Sequence, residues 1–89
     1  MRYYLGMVEC KNHHNERMEN IWIRQKLGDE LYKDINQDWC KIILMRSNPV
    51  GLPADIYKRI DVYVEINNPL RATWFNVKHP TARPVERVK

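Results

Sequence analysis

The clearest hydrophobic pattern along this chain lies at residues 60–66, where Ile60, Val62, Val64 and Ile66 alternate strictly with Asp61, Tyr63 and Glu65. A period of two with β-branched residues at every inward position predicts a half-buried antiparallel strand. Asn67, Asn68 and Pro69 end it, because proline has no N–H to give to a ladder. Residues 72–78 are then expected to return beside it as the second arm of a hairpin. Residues 2–10 predict another strand, with Tyr3, Leu5, Met7 and Glu9 on one face and Tyr4, Gly6, Val8 and Cys10 on the other. Both faces are largely apolar, which favours an interior position, and Gly6 marks a bulge or a close backbone approach. Residues 39–46 are almost continuously apolar, which suits a central strand lying under a helix.

A longer period governs residues 16–35. Met18, Ile21, Trp22, Leu31, Tyr32 and Ile35 gather on one side of a 3.6-residue wheel. Asn12 or Asn15 offers an N-cap, and Glu16 and Glu19 suit the positive end of a helix dipole. Gly28 falls on the apolar side. One continuous helix packed closely at that glycine is the preferred reading. The alternative is a break there, with Asp29 capping a second short helix. Residues 47–53 form a proline-containing connector, and Pro53 could open a single helical turn over 54–59.

The order β-α-β-β-β implies an α+β fold: a single domain with a mostly antiparallel four-stranded sheet and one main helix packed on one face. Residues 1–78 are expected to form this domain. Residues 79–89, with Pro80 and Pro84, are expected to be a basic tail whose removal takes no core residue.

Composition sharpens the picture in a few places. At 89 residues the chain suits one domain. It has no apolar run long enough to span a bilayer and no signal-peptide pattern. Cys10 and Cys40 each sit in an apolar run, as small buried hydrophobes do; together these features lead us to expect a reducing cytoplasm. The net charge of +4 is unevenly spread. Residues 78–89 hold Lys78, Arg83, Arg87 and Lys89 against Glu86 alone, so the basic excess lies at the C-terminal end and suggests an anionic partner.

Candidate chemistry is sparse. Cys10, His13, His14 and Cys40 match no common zinc spacing, so no metal or other cofactor is expected. The single serine, Ser47, lacks a nucleophile-elbow context. Gly6, Gly28 and Gly51 are too far apart for a phosphate loop. A small ribonuclease would need His13 or His14 with His79 and Arg83, and nothing in the sequence brings them together. Aromatic residues among cations are the more suggestive feature. On the expected hairpin, Tyr63 and Trp74 beside Lys58, Arg59, Arg71 and Lys78, continued by Arg83 and Arg87, would form a stacking platform bordered by positive charge. The alternative buries Trp74 under a second layer or the tail.

These features imply a non-enzymatic binding protein that engages nucleic acid or a nucleoprotein complex, and no membrane. The alternative is a protein–protein inhibitor or adaptor acting by steric occlusion. In its short α+β chain without a catalytic motif the protein resembles small phage and mobile-element proteins that block a larger host machine.

Because the alternation puts Val62 inside and Asp61 outside, Val62→Asp should abolish the cooperative thermal transition while Asp61→Val retains it. A normal melt for Val62→Asp would refute the strand.

Overall fold

The computed structural model describes residues 1–11, 16–53 and 55–85. Its elements are β1 (Arg2–Lys11), α1 (Glu16–Leu27), α2 (Asp29–Ile35), β2 (Cys40–Ser47), β3 (Tyr57–Ile66), α3 (Pro69–Lys78) and β4 (Arg83–Val85). The strands form one antiparallel sheet in the order β2-β3-β1-β4. The α+β class and the four-stranded sheet therefore stand as expected, with a different assignment of parts. Counting α1 and α2 as one helical crossover, the chain follows a β-α-β-β-α-β course made of two interlocked split β-α-β units, the plan of ferredoxin-like folds.

The alternating stretch behaves as its pattern requires. Ile60, Val62, Val64 and Ile66 have no exposed surface at all, and they lie at the junction of two core clusters. One cluster joins Val64 and Ile66 to Tyr3, Ile35, Ala72, Phe75 and Ala82. The other joins Ile60 and Val62 to Val8, Cys10 and Ile23. All three helices thus cover one face of the sheet, and among the described residues nothing covers the other.

Residues 72–78 are helical, which corrects the expected hairpin. Asn68 caps α3 by accepting from the N–H groups of Leu70 at 3.0 Å and Arg71 at 3.2 Å, and Pro69 occupies the first turn, where its missing donor costs nothing. Thr73, Trp74, Phe75 and Val77 favour strands by propensity. The spacing of Ala72, Phe75 and His79 nevertheless suits a helix face, and burying Ala72 and Phe75 against β3 outweighs the local preference. The fourth strand comes instead from residues 83–85, in the stretch expected to be a tail. Ala82 is 4% exposed and belongs to the core. His79 Nε2 lies 2.7 Å from Asp34 Oδ2.

Three further expectations are corrected. Gly28, with φ 89°, breaks the long helix and serves as N-cap of α2, so the two-helix alternative holds, without a side-chain cap from Asp29. β2 is an edge strand that, among the described residues, pairs with β3 alone. Its apolar run supplies both faces, Ile42 and Leu44 to the core and Ile43 and Met45 to the open side, with Lys41 and Arg46 as the charges that discourage edge pairing. β3 already begins at Tyr57, where the connector's helical turn was expected; the N–H groups of Ile56 and Tyr57 both donate to the Pro53 carbonyl. Ala54 and the candidate caps Asn12 and Asn15 lie outside the described residues.

The bulge at Gly6 sets the side-chain phase of β1. Tyr4 pairs with Tyr63 and Gly6 with Val62, so Leu5 is the extra residue. Gly6 takes φ 138°, which a residue bearing a Cβ rarely adopts. Before the bulge Tyr3 faces the helices; after it Val8 and Cys10 do. The expected grouping of Tyr3 with Met7 and Glu9, and of Tyr4 with Val8 and Cys10, therefore gives way to Tyr4, Met7 and Glu9 on the open face.

Deleting residues 79–89 should lower the melting temperature, because it removes β4, Ala82 and His79, one of the two partners of Asp34. Phe75→Ala should cost about 3–5 kcal/mol in chemical denaturation. A truncated chain that melts like the full one would show that the β4 pairing contributes nothing.

Candidate functional site

The open face of the sheet is organised in rows, because directly opposed residues point the same way. Arg83, Tyr4, Tyr63 and Ile43 form one row across all four strands. Met7, Asp61 and Met45 form the next, and Arg2, Glu65 and Lys41 flank the first row on its other side. The Tyr4 and Tyr63 rings lie 5.1 Å apart at 52°. Tyr4 donates its hydroxyl to Asp61 Oδ1 at 2.8 Å, and Arg59 reaches the same oxygen through Nη2 at 3.1 Å and Nε at 3.4 Å. These side chains, with Arg83, Pro84 and Val85, line a shallow concavity of about 540 Å³.

The electrostatics keep Tyr4 and Arg59 in their ordinary charge states at neutral pH. Burial, and then the Asp61 carboxylate, push the Tyr4 phenol up, so it stays a hydrogen-bond donor. The hydrogen bond to Asp61, with its charge, raises Arg59, which stays a cation. Arg2 is loosely held: its Nη2 is 3.9 Å from Glu65, and its buried Nε has no acceptor among the described residues. The result is an aromatic pair on the two central strands, with Asp61 in the row on one side of it, Glu65 in the row on the other, and arginines on both sides.

The residues expected to form one platform fall into separate places. Arg59, Tyr63 and Arg83 are on the open face, joined by Tyr4 and Asp61, which the sequence reading had not assigned to the site. Lys58 points the other way, into the layer between sheet and helices, where its Nζ is 2.9 Å from Glu19. Arg71, Trp74 and Lys78 ride on α3. There Arg71 lies over the Trp39 ring at 5.1 Å, Trp39 meets Trp74 edge-on at 5.7 Å, and Lys78 lies over Trp74 at 5.0 Å. Trp74 is 44% exposed. Arg87 lies outside the described residues. Tyr63 and Trp74 are thus not neighbours, because α3 packs on the face that Tyr63 leaves. The outward phase of Asp61 was readable from the alternation; Tyr4 was hidden by the bulge.

Two charged clusters lie inside the fold. Glu19, 4% exposed, accepts from Arg46 at 3.1 and 3.2 Å and pairs with Lys58, which ties α1 to β2 and β3. Asp34 takes His79 at 2.7 Å and Lys78 at 3.0 Å, which ties α2 to the end of α3. Neither has the accessibility that a substrate needs. Of the ribonuclease candidates, His79 is held by Asp34, and His13 and His14 lie outside the described residues. Cys40 is pushed up to about 11 by burial, and burial raises Cys10 as well, so neither is a ready thiolate. Among the described residues no group of His, Cys, Asp and Glu side chains could hold a metal ion, and no helix is long and apolar enough to cross a membrane.

Fold and surface together define an antiparallel α+β sandwich with one uncovered, aromatic and arginine-bearing sheet face. Comparison with protein-family models, with curated proteins and with solved structures gives no match to this chain.

Both buried carboxyls lie below their usual range. In Glu19 the Arg46 hydrogen bond outweighs burial. In Asp34 burial pulls upward, and the bonds from His79 and Lys78 overcome it. A depressed folded-state value means stability that is present above the ordinary carboxyl values of 4.5 and 3.8 and lost as pH falls through the folded-state values. Acid titration should therefore show stability falling below roughly pH 4.5. Glu19→Gln should cost about 2 kcal/mol at neutral pH, since it removes the carboxylate that Arg46 and Lys58 share, and should flatten that acid limb. An unchanged limb would show that the cluster is not linked to folding.

Proposed function

We propose that this protein binds single-stranded nucleic acid, free or within a nucleoprotein complex, on the open face of its sheet. The observation that carries this reading is the Tyr4–Tyr63 pair, set on the two central strands with Arg83 in the same row and Arg59 beside it. Unstacked bases of a single strand stack on aromatic rings, and their phosphates seek arginines at the margin. A duplex keeps its base faces stacked inside, where these rings cannot reach them. Arg2 supports the reading, since its guanidinium is poorly matched to Glu65 and sits next to Val85 on β4. The C-terminal cations Arg87 and Lys89 continue the chain from there.

The second reading, a protein-docking inhibitor or adaptor, is favoured by a different surface. Leu70, Trp74 and Val77 are 82%, 44% and 77% exposed and follow one another at helical spacing along α3. Such a stripe suits a groove on a protein partner. The two readings separate by salt and by residue.

Anisotropy titration of a labelled single strand of about 12 nucleotides, at about 50 and 200 mM salt, tests the first reading. Tyr63→Ala should weaken binding by about 1–3 kcal/mol. Arg83→Ala should reduce the salt slope by about 0.7, the share of one phosphate contact. Trp74→Ala should leave both quantities unchanged. A flat salt dependence, or a loss confined to Trp74→Ala, would favour protein docking through α3.

A further inference from the structure

Asp61 is an odd residue to find on a surface meant for a polyanion. A carboxylate repels phosphate, and the position would bind a strand more tightly if it were neutral. Its bonding shows what else it can do. Oδ1 is fully used by the Tyr4 hydroxyl and the Arg59 guanidinium, which fix the plane of the carboxylate. Oδ2 accepts from no described residue. The side chain retains 18% of its exposure and lines the concavity beside both tyrosine rings. It is therefore an acceptor held in place by one oxygen, with its other oxygen unused by any described residue, in a side chain that lines the concavity where a base would stack.

We infer that Asp61 makes the site selective for bases with an exocyclic amino group at the position of cytosine N4 or adenine N6. This rests on the single-strand reading above and names the ligand class for it. Cytosine and adenine offer an amino donor where uracil and thymine, or a base with a carbonyl there, offer an acceptor. An amino group bonded to Oδ2 gains a charge-assisted hydrogen bond. A carbonyl facing the same oxygen leaves two acceptors opposed and the carboxylate desolvated without a partner. Carboxylate acceptance from the cytosine amino group is the expected pairing by this chemistry. Arg59 serves the same end from the other side, since it holds Oδ1 and leaves Oδ2 as the remaining acceptor.

Oligo(dC) and oligo(dU) of about 12 nucleotides are the matched probes. They stack on tyrosine to a similar degree and differ at the amino and carbonyl positions. With the full chain at neutral pH, anisotropy titration should show oligo(dC) binding about fivefold to tenfold more tightly than oligo(dU). Asp61→Ala removes the acceptor and should bring the ratio to one. Asp61→Asn adds an amide that can donate to the uracil carbonyl, and should bring the ratio to one or invert it. If Asp61 acted only by positioning Tyr4 and Arg59, both variants would weaken the two oligomers equally and keep the ratio, which would overturn the inference. A wild-type ratio of one, or a preference for oligo(dU), overturns it without reference to any variant, while measurable binding of both leaves the single-strand reading standing. Failure of both oligomers to bind at about 50 mM salt overturns that reading and this inference together.

Discussion

Everything in this molecule rests on the inner face of β3. Four β-branched residues, Ile60, Val62, Val64 and Ile66, are completely removed from solvent, and each core cluster contains two of them. Burying side chains of this size contributes about 1.5–3 kcal/mol each relative to exposure. α1, α2 and α3 all find their apolar partners there, and β1 and β2 pair on either side. Because a strand alternates, the same commitment sends Arg59, Asp61, Tyr63 and Glu65 to the opposite face. The core and the candidate site are two sides of one strand, so neither can change phase without the other.

Charge then fastens the layers at two ends. Glu19 binds α1 to β2 and β3 through Arg46 and Lys58, and Asp34 binds α2 to α3 through Lys78 and to the following turn through His79. Each carboxylate has two cationic or hydrogen-bonding partners, which offsets the desolvation of a buried charge. The bond from the Tyr3 hydroxyl to the Ala72 carbonyl at 3.3 Å, with the Tyr3–Phe75 ring contact at 5.4 Å, adds a link from β1 to α3. These fastenings use Lys58 and much of the basic surface of α3, and so remove them from any simple anion site. The cations left at the tyrosine pair are arginines, which suit planar and phosphate ligands alike.

A β-α-β-β-α-β sandwich hosts many unrelated activities, so the fold by itself argues for none. The functional argument lives in the difference between two surfaces. The sheet face is aromatic, concave and edged with guanidinium groups, with Asp61 fixed by Tyr4 and Arg59. The α3 surface is convex, with Leu70 and Val77 largely exposed and the Trp39–Trp74 pair flanked by Arg71 and Lys78. The first matches stacked bases with phosphates at the margin, and the second matches an apolar groove. Both rest on the same core without sharing a side chain, so substitutions can separate them.

The strands 60–66 and 2–10, the α+β class, the glycine bulge and the outward phase of Tyr63 and Asp61 were legible in the amino-acid sequence. Each follows from a local rule: alternation, apolar content, or the backbone freedom of glycine. α3 was legible in part, since Asn68 and Pro69 are helix-start residues, yet the β-rich composition of 73–77 pointed the other way. Propensity differences amount to a fraction of a kcal/mol per residue, and burial of Ala72 and Phe75 against β3 exceeds them. Which strands became neighbours was decided only in three dimensions. Nothing in residues 39–46 distinguishes an edge from a centre, because an apolar run also suits an edge strand whose outer face, with Ile43 and Met45, stays open. Nothing in residues 83–85 announces a strand, because its three residues gain their ladder only from β1. The meeting of Tyr4 with Tyr63 needed both the pairing of β1 with β3 and the phase shift at Gly6, and a contact across 59 positions of chain is set by the packing of the whole sheet and by no local pattern.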